Sequence, residues 1–152
     1  MSWSTIQFGE YWANAHDGEQ IVFMSLAPEC LAQSTKFSGE PWLHEWAEYW
    51  VEHRTAYGNG CSDIKLHVHL TTKERINVFR AFLSEYKQWL ETVRGQELRD
   101  VDGDLVRHER AVRFAELVEA TIDGNTLFLD LWGRKRVMPM RPDTSQERTR
   151  DE

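Results

Sequence analysis

The sequence predicts an α+β fold: a single domain whose antiparallel sheet of about five strands carries helices packed on one face. Three observations lead there. Residues 64 to 70 alternate apolar Ile64, Leu66, Val68 and Leu70 with polar Lys65, His67 and His69, the period of a half-buried strand. Ile76, Phe79, Phe82, Leu83, Tyr86, Trp89, Leu90 and Val93 recur at helical spacing over residues 72 to 94. Elsewhere, short β-prone runs are punctuated by turn residues.

In chain order, residues 6 to 13 are rich in aromatics and residues 20 to 26 form an apolar run. His16, Asp17, Gly18 and Glu19 between them have turn chemistry, so a β-hairpin is expected. Pro28 then ends the second strand and opens a short helix through Ser34. Ser38, Gly39 and Glu40 make a break, Pro41 suits a first helical position, and a helix is expected to about residue 54. Tyr57, Gly58, Asn59 and Gly60 read as a loop. Beyond the strand at 64 to 70, Thr71, Thr72, Lys73 and Glu74 read as a capping box, Thr at the cap and Glu three residues later. Gly95 is placed to stop the helix that follows.

Residues 96 to 110 read as a loop or small hairpin turning at Asp102 and Gly103. Residues 111 to 122 fit both periods. Ala111, Phe114, Ala115 and Val118 suit a helix, whereas Val118, Ala120 and Ile122 alternate, and a strand over roughly 114 to 122 is expected. Asp123, Gly124 and Asn125 would turn it into a return strand at 126 to 132. The domain is then residues 1 to 138, and residues 139 to 152 a mobile polar tail without apolar periodicity.

The bulk properties fit such a domain. At 152 residues, 41% hydrophobic and 28% charged, the chain can bury a core built on seven Trp, seven Phe and four Tyr. Its start has neither a basic region nor an apolar run of signal-peptide type. No apolar stretch approaches the roughly 20 residues that span a bilayer. Cys30 and Cys61 are few and far apart, as isolated thiols in a reducing compartment would be. A cytoplasmic location is expected.

Charge is unevenly distributed. Residues 1 to 60 hold eight acids against Lys36 and Arg54, a balance of −6 out of −7 for the chain. Acidity of this degree argues against nucleic acid or an anionic membrane as the main partner. The acidic part centres on residues 41 to 54. There Trp42, Trp46 and Trp50 fall at i, i+4, i+8, and Glu45, Glu48 and Glu52 form an acidic stripe beside them. Aromatics at this spacing most often face a core. Trp42, Trp46, Trp50 and Tyr49 next to carboxylates also have the anchor-and-rim composition of a binding surface.

Catalytic signatures are weaker. His67 and His69 on a strand would face the same way and could give a metal two ligands, completed by His16, His44, His53 or a carboxylate. The plainer reading is a polar solvent face. His44 and Glu48 stand at i, i+4, which suits ordinary helix-surface pairing better than acid–base chemistry. Asp100, Asp102 and Asp104 resemble the start of a calcium loop, but its glycine, Gly103, falls at the fourth place rather than the sixth, and Ala111 stands at the twelfth in place of Glu. A turn rich in Asp and Gly is the better account. No G-x-S-x-G, P-loop or G-x-G-x-x-G occurs, Cys30 and Cys61 lack an activating context, and no cofactor is expected. Arg134, Lys135 and Arg136 read as a solvated turn between strands.

These features suggest a small acidic, tryptophan-rich inhibitor that occludes a basic protein partner, in the manner of an immunity protein or antitoxin directed at a toxin or nuclease. The expected contact residues are Glu45, Glu48, Glu52, Trp42, Trp46, Trp50 and Tyr49, with no metal and no catalytic residue. The alternatives are a small metal-dependent or acid–base enzyme using His67 and His69, and a constitutive adaptor subunit.

Overall fold

A computed structural model of the chain describes residues 3–53, 63–129 and 135–139. Ten elements follow one another: β1 (Trp3–Phe8), β2 (Tyr11–His16), α1 (Asp17–Gln33), α2 (Pro41–His53), β3 (Asp63–Lys65), α3 (Leu66–His69), α4 (Lys73–Thr92), α5 (His108–Ile122), β4 (Asn125–Leu129) and β5 (Lys135–Pro139). Helix and strand coexist, but the expected antiparallel sheet of about five strands does not form. The largest sheet among the described residues has three strands in the order β2-β1-β3, and β4 pairs with β5 separately. β1 runs antiparallel to β2 and parallel to β3, so the sheet is mixed. Most of the described residues are helical.

Three corrections account for the difference. The N-terminal hairpin turns at Gly9 and Glu10, not at 16 to 19, with Phe8 opposite Tyr11. Gly9 has φ of 61° while Glu10 keeps a negative φ, the sign pattern of a type II′ turn, which takes Gly first. The run expected as its second strand lies inside α1, and Pro28 sits within that helix rather than opening it. Residues 20 to 27 are all buried. A helix covered on every side has no polar face, so its sequence shows an apolar run and no helical period.

The second correction concerns residues 111 to 122, which are helical throughout. Ala111, Phe114, Ala115, Val118 and Ile122 are buried at helical intervals. Ala120 and Thr121 are buried too, which is how an alternating pattern overlays the helical one. The chain leaves α5 at Gly124, where φ is 72° and a Cβ would lie 3.0 Å from the Tyr11 ring. Only glycine fits that conformation and that approach. β4 then pairs with β5, so Lys135 and Arg136 stand on a strand rather than in a turn.

Thirdly, the strand expected over 64 to 70 lasts only to Lys65, and residues 66 to 69 form a short helix. Ile64, Leu66 and Leu70 are buried, but Val68 is 57% exposed. Burial at 66 and 70 satisfies a helical turn as well as an alternating strand, so the pattern could not choose between them. α4 is capped by Thr72, whose side chain accepts from the Arg75 amide at 3.1 Å, so Thr71 is not the cap. The helix ends at Thr92 with Val93 as its C-cap, and Gly95 follows with φ of 92°. Residues 99 to 105 form a minimal hairpin in which the Asp100 carboxylate accepts from the amides of Asp102 and Asp104. The loop expected at 57 to 60, Cys61, Arg134 and residues 140–152 lie outside the described residues.

α1 lies at the centre and packs on α2, α4, α5 and the first hairpin. Its Phe23 meets Trp50 of α2 at 5.1 Å, Tyr86 of α4 at 5.4 Å and Phe114 of α5 at 5.4 Å between ring centroids. Such pairs add about 0.5–1.5 kcal/mol each beyond the area they bury. Glu19, in the first turn of α1 and 6% exposed, is ion-paired with Arg113 and Arg110 of α5. Lys87 with Glu119 and Arg80 with Asp123 join α4 to the end of α5.

Candidate interaction surface on the second helix and its flanking cleft

α2 is the element on which the sequence concentrates aromatics and acids, and the fold sorts them by face. With 100° between successive residues, Leu43, Trp46, Ala47 and Trp50 share the buried side. Glu45, Glu48 and Glu52 project from the opposite side and are exposed. Trp42, Tyr49 and His53 occupy the flank between them. The Trp stripe therefore divides: Trp42 is half-buried, while Trp46 and Trp50 are 3% and 1% exposed. Trp46 packs on Phe79 at 4.9 Å and Trp50 on Phe23. As core residues they keep only a sliver of surface, on the side of the flanking cleft, and do not join the acidic face as exposed anchors. Tyr49, 44% exposed, remains on the surface.

The flank is stiffened locally. The Tyr49 and His53 rings stack at 3.9 Å, and His53 Nδ1 donates to the Tyr49 carbonyl at 2.9 Å. Trp42 Nε1 donates to the Glu40 carboxylate at 2.7 Å, and the Arg75 guanidinium lies 4.9 Å from the Trp42 ring centroid. That is cation–π distance. His44 Nε2 donates to the Phe37 carbonyl at 2.9 Å, which anchors the start of the helix.

A cleft of about 300 Å³ opens beside this flank, lined by Met24, Trp46, Tyr49, Trp50, Ile64, Lys65, Val68 and His69. The approach of the β3 and α3 residues to α2 carried no signal in the sequence, because it depends on the break of the strand after Lys65. His69 stacks on Trp46 at 4.5 Å with the rings 15° from parallel. Burial, and then the positive charge of Arg75, hold its imidazole below the ordinary value, which favours the neutral ring.

His67 and His69 are not a same-face pair, because they stand on a helical turn rather than a strand. His67 Nδ1 accepts from the Gly9 amide at 3.0 Å and ties α3 to the β1–β2 turn, while His69 lines the cleft. Among the described residues no three His, Cys, Asp or Glu side chains gather in a metal-binding cluster. Cys30 is buried, and burial followed by the nearby Glu85 charge pushes its thiol up to about 12. A thiol so far from its thiolate is a poor nucleophile.

Ion pairing is uneven over the surface. Glu19, Glu85, Glu91, Glu97, Glu109, Glu119 and Asp123 each have an ion-pair partner. Glu45, Glu48 and Glu52 have none among the described residues; neither do Glu10, Glu29 and Glu74, but the three of α2 share one exposed helix face. No helix among them is long and apolar enough to cross a membrane. Fold and site together describe a largely helical α+β domain with an acidic helix face beside an aromatic-walled cleft. The chain matches no family model, no curated protein and no solved structure.

Proposed function

We propose that the chain is a small cytoplasmic binding protein that neutralises a basic protein partner by covering its positive surface with the outer face of α2. An immunity or antitoxin-type inhibitor of a toxin or nuclease belongs to this class. The observation that carries the reading is the gathering of Glu45, Glu48 and Glu52, none of them ion-paired among the described residues, on the one exposed face of α2. Three like charges on one helix face repel one another at i, i+3 and i, i+4 spacing. A positively charged cleft on a partner would relieve that repulsion, and the same charges would steer the encounter. Tyr49 and Val51, 44% and 41% exposed on the same helix, supply apolar contact beside the charges. Trp46 and Trp50 act indirectly by holding α2 in place.

The test is a triple reversal, Glu45→Lys with Glu48→Lys and Glu52→Lys, on an exposed face that tolerates substitution within about 0.5 kcal/mol per site. The variant should keep the wild-type unfolding midpoint. It should bind a partner isolated with the wild-type chain at least tenfold more weakly. Equal affinity for wild type and variant would contradict the reading.

A further inference from the structure

The cleft beside α2 is built to hold a side chain. Its inner wall is rigid, because Trp46 and Trp50 are fixed by their packing on Phe79 and Phe23. Its rim carries Tyr49 and Val68, two of the five large hydrophobic side chains exposed among the described residues. Tyr49 is itself held by its stack on His53. At about 300 Å³ the cleft stands at the small end of ligand pockets, with room for one large side chain and not for a helix. Preformed walls of this kind spare a ligand the cost of ordering them.

Charge selects the segment that bears such a side chain. Glu45 and Glu52 stand at i−4 and i+3 from Tyr49, so two carboxylates with no ion pair among the described residues border the rim on the α2 side. Lys65 lines the cleft from β3, so cations of an incoming segment are directed away from it and over α2. We infer that the cleft receives a single aromatic side chain from a basic segment of the protein partner, whose lysines and arginines lie over Glu45, Glu48 and Glu52. This deepens the reading of the α2 face as a docking surface and rests on it.

Two synthetic peptides, acetyl-Lys-Lys-Phe-Arg-Lys-amide and the same peptide with Ala in place of Phe, separate the parts. Both should shift the amide resonances of Glu45, Glu48 and Glu52 in the isotopically labelled full chain. The Phe peptide alone should also shift Val68, His69 and the Trp46 indole, and should bind at least tenfold tighter. Val68→Ser should abolish that advantage and leave binding of the Ala peptide unchanged. Val68 is exposed, and an unchanged unfolding midpoint shows that the variant is folded. Equal binding of the two peptides, with a silent cleft, would overturn the inference and spare the acidic face. Cleft binding of the Phe peptide that survives the triple Glu→Lys reversal would overturn the requirement for a basic segment. No binding of either peptide would overturn both readings. Cleft resonances that move on dilution without peptide would assign the cleft to a second copy of the chain, and would overturn the inference too.

Discussion

Phe82 and Val68 set the contrast at the residue scale. Both are apolar and both were expected in the core, yet Phe82 is fully buried and Val68 is 57% exposed. Phe82 meets Phe37 edge-on at 5.7 Å. Phe82→Ala should therefore cost about 3–5 kcal/mol in urea unfolding, from lost transfer energy and the cavity left behind. Val68→Ala should stay within about 0.5 kcal/mol. His69 provides a second residue-scale prediction. Its folded pKa lies below the ordinary 6.5, so the unfolded chain binds the extra proton first as pH falls. Its contribution to stability is full above that value and is lost as pH drops below it toward the folded pKa. The urea midpoint should fall between pH 7.5 and pH 5.5, and less so in His69→Asn. An equal fall in both proteins would show that His69 is not the group responsible.

At the scale of elements, the cap of α4 offers a sharp test. Thr72→Ala should lose about 1 kcal/mol, the usual worth of a threonine N-cap, while Thr71→Ala should leave the unfolding midpoint nearly unchanged. The reverse ranking would restore Thr71 as the cap. What could be read from the sequence follows the same logic of faces. α2 and α4 were legible because each has one wet and one dry side, so their periods show directly. α1 was not, because burial on all sides erases the period. Residues 64 to 70 and 111 to 122 misled because their buried positions satisfy two periods at once. The acidic stripe was legible for the same reason as α2 itself, since it belongs to one helix. Which tryptophans face the core is set by neighbours: Phe23 and Phe79 decide it, and both are distant in sequence. The cleft needs β3 and α3 against α2, a juxtaposition that no local pattern contains.

For the whole molecule, the segregation of charge is the property that matters most. A formal charge of −7, of which −6 lies in residues 1 to 60, gives the acidic part a field that reaches beyond contact distance. Screening shortens that reach from ~10 Å at 0.1 M salt to ~3 Å at 1 M. If the outer face of α2 is the docking surface, its charges act mainly on the rate of encounter, whereas the apolar contacts around Tyr49 and Val68 act on dissociation. The most direct measurement is the association rate constant with a basic partner, followed by stopped-flow fluorescence at increasing salt, for the wild type and for the triple Glu→Lys reversal. The wild-type rate should fall steeply with salt, and the reversal should be slower at low salt and nearly indifferent to it. An association rate that neither salt nor the reversal changes would contradict the electrostatic account and leave Glu45, Glu48 and Glu52 as a solvated helix face.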